Sequence, residues 1–146
     1  MIAWAAATSV VGSIVAGGID ARTGFIPDNV TRPACAIALV LAAAAGGLLD
    51  ACAGALAVGG ALLLLHLSTG GRGLGLGDVK LGVAIGSGLG PLVGLAAIGA
   101  AFIGGGAYAL WLLSRRRARL HDRIPFGPFL AAGTIAGVVL FRGLGA

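Results

Sequence analysis

Residues 81–114 read LGVAIGSGLGPLVGLAAIGAAFIGGGAYALWLLS, 34 positions without a single charged side chain. A bilayer core of about 30 Å is crossed by roughly 20 apolar residues, with a range of about 17–25. The run is too long for one crossing and long enough for two short helices. Gly90-Pro91, near its middle, supplies the break, because glycine admits dihedrals other residues avoid and proline interrupts the helical hydrogen-bond ladder. Working outward, further charge-free stretches cover residues 2–19, closed by Asp20, and 34–49, between Pro33 and Asp50. Others cover 51–71, closed by Arg72, and 124–141. The pattern predicts an all-α, polytopic integral membrane protein, a bundle of about six transmembrane helices, with residues 1–146 forming a single transmembrane domain.

Composition agrees with this pattern. The chain is 58% hydrophobic and only 10% charged, whereas a soluble domain carries about 25% charged residues. Too few polar side chains exist to cover a surface facing water. The 28 glycines suit helices that must pack closely, since lipid offers no hydrophobic force between them. The first stretch lacks the positively charged start of a secretory signal.

The net charge of +5 would raise nucleic-acid binding in a soluble protein. Here its distribution points elsewhere, and no nucleic-acid partner is expected. With six spans, the loops 21–32, 70–80 and 115–123 fall on one side and hold nine of the ten Lys and Arg residues. Only Arg142 falls on the other side. The excess of positive charge in cytoplasmic loops places those three loops inside and both termini outside, in the inner (cytoplasmic) membrane.

All five acidic residues are aspartates: Asp20, Asp28, Asp50, Asp78 and Asp122. Asp50 alone belongs to an outer turn, where a helix-linking role is expected. Asp20 and Asp78 stand out because each abuts an apolar run at the cytoplasmic level. A carboxyl group there loses hydration, which disfavours its charged form, and acids in spans are functional candidates by default. Two neighbouring carboxyl groups share a proton, so that one activates water while the other polarises a carbonyl. The alternative is that both are interfacial helix caps, since Asp favours helix N-termini.

Before Asp78 the chain reads Gly73-Leu74-Gly75-Leu76-Gly77. Its glycine spacing resembles a dinucleotide loop, but no strand exists to complete that motif. The expected reading is a thin, bendable backbone against which an extended peptide lies beside the acid. Cys35 and Cys52 lie in apolar stretches without a metal-binding spacing and are expected to be buried structural thiols. His66, within an apolar run, reads as a hydrogen-bonded packing group, and His121 as a loop residue. Neither has partners at metal-ligand spacing. Trp4 and Trp111 suit the aromatic belts. The run Arg115-Arg116-Arg117-Ala118-Arg119 suits lipid headgroups. Lys80 either acts on the acids or substrate, or snorkels to the interface.

Three segments carry a resemblance to a known family. Gly75-Leu76-Gly77-Asp78-Val79-Lys80-Leu81 resembles the G-x-G-D-x-K-L signature of the type IV prepilin peptidases, which are intramembrane aspartic proteases. Ile19-Asp20-Ala21-Arg22-Thr23-Gly24-Phe25-Ile26-Pro27-Asp28-Asn29 is similar to that family's first aspartate segment. Ile124-Pro125-Phe126-Gly127-Pro128-Phe129-Leu130 is similar to its third landmark. The segments occur in the family's order and together span residues 19–130.

The resemblance implies that Asp20 and Asp78 are the catalytic pair, with Asp28, Gly75, Gly77 and Lys80 as supporting or substrate-binding residues. It implies hydrolysis of the short basic leader of a pilin-like precursor, with no metal or organic cofactor. Larger members carry a cysteine tetrad and methylate the new N-terminus. This sequence has neither that tetrad nor the preceding extension, so hydrolysis without methyl transfer is expected, as in peptidases of tight-adherence (Tad/Flp-type) pili. Two rival functions use the same residues. A small proton-coupled transporter would carry protons on the acids, although its inverted repeats are not evident. A non-catalytic helical subunit would tolerate Asn at both positions.

Overall fold

A computed structural model describes residues 2–71, 73–115 and 125–144. It contains α1 (Ile2–Thr23), α2 (Asp28–Ala44), α3 (Leu48–Ser68), α4 (Leu76–Ser114) and α5 (Gly127–Leu144), with no strand among the described residues. The protein is an all-α, polytopic membrane-embedded protein. Three helices are long and apolar enough to cross a bilayer, namely Trp4–Thr23, Leu48–Ser68 and Leu76–Ser114, and Gly127–Phe141 is a shorter apolar helix.

The break expected at Gly90-Pro91 divides α4 in two. Gly90 adopts φ 73°, ψ 177°, a left-handed region closed to ordinary side chains. The chain then folds back on itself, so that a Cβ at Gly94 would stand 3.4 Å from the Cα of Gly86. The two limbs, 76–89 and 91–114, are a tight helical hairpin. Counting each limb, six helical segments alternate in direction.

Limb 76–89 is the centre of the bundle. Most of its residues are buried, and it meets α1, α2, α3 and its own second limb on different faces. Toward α1, the Ser9 hydroxyl donates to the Ala84 carbonyl at 2.7 Å. Toward α2, Cys35 Sγ lies 3.5 Å from Ser87 Oγ. Toward α3 the approach is closest, because a Cβ on Gly54 would collide with the Gly86 carbonyl and stand 2.8 Å from the Gly90 Cα. Small residues let backbones approach in this way, replacing the missing hydrophobic drive with dispersion contact. Helix α5 packs on limb 91–114 through Gly133 and Gly137, and on α1 through Gly17.

Three sequence expectations need correction. Pro33, read as a boundary, lies inside α2, which begins at Asp28. The hydrogen bond it removes is that of the Asn29 carbonyl, near the helix start, where Asn29 is exposed. Helix α4 begins at Leu76, so Asp78 and Lys80 are helical and not part of a loop. Cys52, expected to be buried, is exposed on α3, whereas Cys35 is half-buried.

Some expectations fall on residues that the structure does not describe: Arg72, Arg116, Arg117, Arg119, His121, Asp122, Arg123 and the side chain of Arg142. The two tryptophans are partly exposed near opposite ends of the bundle, as aromatic belts require. Arg115 lies 5.9 Å from the Trp111 ring.

The packing of α3 on limb 76–89 generates a paired prediction. Gly86→Ala should lower the stability of the detergent-solubilised protein by about 1–3 kcal/mol, the usual range for overpacking. Gly60→Ala, whose Cβ would meet nothing within 4 Å, should leave it unchanged or slightly raised, since Ala favours helix. Thermal unfolding of the two variants side by side checks the contrast.

Candidate active site

Helix α1 ends in a left-handed glycine cap: Gly24 has φ 67°, and its amide donates to the Asp20 carbonyl at 2.8 Å. Asp20 thus lies in the last turn of α1, on the interior side with Ser9, Ser13 and Ala16, all buried. Its own side chain is 6% exposed. Across the bundle, the Gly127 amide at the start of α5 donates to Asp20 Oδ2 at 2.8 Å.

Asp78 is the third residue of α4. It reaches back to accept the Gly75 amide on Oδ2 at 3.1 Å, satisfying one of the amides that every helix start leaves without an internal partner. The side chain is 8% exposed, and its Oδ1 is buried with no hydrogen-bond partner among the described residues. A lone buried acceptor is costly unless another group completes it. Asp78 therefore does cap its helix, as the alternative reading held, yet uses only one oxygen to do so.

Both acids lie at the same end of the bundle. After α1, the connection carries Ile26 against Gly77, where a Cβ would stand 3.0 Å from the Ile26 Cβ. This contact holds the end of α1, which carries Asp20, beside the start of α4, which carries Asp78. Two carboxyl groups from different helices, both withdrawn from solvent, can share one proton between them.

The glycine segment before Asp78 passes into helix at Leu76. Gly77 is already helical and makes room for Ile26, while Gly75 is the extended cap residue, φ −77° and ψ 154°, whose amide serves Asp78. Lys80 is two positions beyond Asp78, about 200° around the helix, so the two side chains do not face each other. Its Nζ donates to Asp28 Oδ1 at 2.6 Å, and Arg32 Nη2 lies 3.2 Å from Asp28 Oδ2. Both oxygens of Asp28 are thereby engaged, tying the start of α2 to the start of α4. His66 Nδ1 lies 2.7 Å from the Leu74 carbonyl, a packing contact at the end of α3, as expected.

Sequence reasoning missed the direct contact of Gly127 with Asp20. In the sequence, Pro125-Phe126-Gly127-Pro128 appears only within the third family-like segment, because a backbone donor carries no side-chain signature.

The fold is thus a polytopic helical bundle with two buried carboxyl groups at one end. Residues 7–110 match the type IV leader peptidase family, and the chain belongs to that family. It is 38% identical over 129 residues to a "Prepilin leader peptidase/N-methyltransferase" of Burkholderia pseudomallei (strain 1026b), covering 81% of this chain and 40% of that protein. A protein of the same name from Xanthomonas campestris pv. campestris is 33% identical over 139 residues, covering 88% and 46%. "Leader peptidase HopD" of Salmonella typhimurium is 37% identical over 150 residues, covering 88% of each chain. The chain thus spans less than half the length of the first two relatives. No solved structure matches it significantly.

The Lys80 hydrogen bond holds the Asp28 carboxyl below the usual carboxylate range. A depressed folded pKa means the contribution is present above the unfolded value of 3.8 and is lost only as pH falls through the lower folded value. The tie should therefore act at neutral and mildly acid pH alike. Lys80→Met and Asp28→Asn should each lower the unfolding temperature by less than Gly86→Ala does. The double variant should lose no more than the worse single, as a double-mutant cycle in detergent would read.

Proposed function

We propose that this protein is an intramembrane aspartic endopeptidase that removes the short basic leader of pilin-like precursors. The observation carrying the proposal is the pair Asp20 and Asp78: buried acids from different helices, at one end of the bundle, each with one oxygen held by a backbone amide. The relatives, leader peptidases from three organisms, supply the substrate class.

In this reading the two carboxyl groups share one proton. The ionised member removes a proton from a water molecule, whose oxygen attacks the scissile carbonyl carbon. The protonated member donates to the carbonyl oxygen, which becomes a hydroxyl of the tetrahedral intermediate. Collapse re-forms the carbonyl, breaks the C–N bond and delivers a proton to the departing nitrogen. The products are the leader, ending in a carboxylate, and the mature chain with a free amine. No metal or organic cofactor takes part.

Near the acids the described residues carry Arg22, Arg32 and Lys80, all exposed. Cytoplasmic loops are rich in Lys and Arg, which supports an active site on the cytoplasmic side of the inner membrane with both termini outside. Pilin-like precursors present a basic leader on that side, just before their hydrophobic helix. Precursors of the Tad/Flp type are the finer substrate class.

The test is incubation of the solubilised protein with Flp-type and other type IV precursors. Wild type should cut, whereas Asp20→Asn and Asp78→Asn should each fall by at least about a thousandfold, since general acid–base action alone contributes 10²–10⁴. Retained cleavage by either variant would overturn the assignment. Proton flux in liposomes with no cleavage of any precursor would point to a transporter instead.

A further inference from the structure

We propose that Gly127 is a positioning residue for the reaction, its backbone amide fixing Oδ2 of Asp20 so that the other oxygen of that carboxyl is the one presented to Asp78 and water. This rests on the reading of Asp20 and Asp78 as the reacting pair.

The amides at the start of α5 can be accounted for one by one. Phe129 and Leu130 both donate to the Phe126 carbonyl, at 3.0 and 3.1 Å. Pro128 has no N–H to give. That leaves Gly127 as the free donor of the first turn, and it donates across 107 positions of sequence to a buried carboxylate oxygen. Hydrogen bonds from backbone N–H to an ionised acceptor are among the stronger kind.

Space is arranged for the same contact. A Cβ on Gly127 would stand 2.8 Å from both Cβ and Oδ2 of Asp20, and 3.1 Å from its Cγ. On the facing helix, a Cβ on Gly17 would stand 2.8 Å from the Gly127 oxygen and 3.2 Å from the Pro128 Cα. Two glycines therefore let the start of α5 come against α1 at the acid. The arrangement parallels Asp78, whose Oδ2 takes the Gly75 amide and whose Oδ1 is left without a protein partner. Each acid has one oxygen immobilised by the start of a helix. A hydrogen bond of this kind favours one arrangement of the two carboxyl oxygens over the other, and geometry set before the reaction does not have to be ordered during it.

The decisive variant replaces the Gly127 amide with an ester by incorporating glycolic acid at that position, which deletes the donor and adds no bulk. Its kcat should fall about ten- to a hundredfold with KM unchanged, the range for losing one hydrogen bond to a charged group. Gly17→Ala, which displaces the start of α5 and leaves both partners intact, should lower kcat in the same sense. A second readout is independent of turnover: the ester and Asp20→Ala should be coupled in a thermal-unfolding cycle. A kcat within twofold of wild type for the ester, or additive effects in the cycle, would overturn the inference while Asp20→Asn still abolishes cleavage. Failure of the wild type itself to cleave precursors would instead bring down the peptidase reading, and this role with it.

Discussion

Lipid tails are as apolar as leucine, so helices in a bilayer gain nothing by leaving their solvent. The bundle is held instead by how near other helices can come to limb 76–89. Gly82 and Gly86 on that limb, met by Leu62 and Gly54, bring α3 close against it, and Gly88, met by Ser9 and the Ala5 carbonyl, does the same for α1. That closeness has a consequence for the acids. A buried carboxyl group needs a donor, and for Asp20 a backbone donor reaches it because glycines let α5 come close to α1.

The two acids solve the same problem in complementary ways. Asp78 takes its donor from its own helix start, whereas Asp20 sits at the end of one helix and takes its donor from the start of another. Both thereby gain the favourable field of a helix N-terminus. The helix-cap reading and the proposed catalytic reading are compatible in this fold, because a backbone amide engages only one oxygen of each group. Asp28 shows the contrast: its two oxygens are both matched by cations at the rim, which suits a tie between helices.

Much of this was legible in the sequence for identifiable reasons. The break in α4 was legible because a glycine followed by a proline has few uses inside a long apolar run. The shared level of Asp20 and Asp78 followed from counting apolar stretches. The start of α2 was not legible, since Pro33 looks like a boundary unless the exposed carbonyl of Asn29 is known. The close approach of Ile26 to Gly77 was not legible, because a glycine in the sequence does not name the neighbour it makes room for. The destination of Lys80 required three-dimensional register between α2 and α4, and the contact of Gly127 with Asp20 links residues that only the packing of α5 on α1 brings together.

The brevity of limb 76–89 has a further consequence. Its fourteen residues rise only about 21 Å, well short of a hydrocarbon layer of about 30 Å. Its two ends, the Gly90 turn and Asp78, therefore cannot both reach the headgroups of an unbent bilayer. Adjusting bilayer and protein to one another carries a penalty of a fraction of a kcal/mol per ångström. The acyl-chain length of the host membrane thus becomes a setting that acts on the depth of the carboxyl pair from outside the protein.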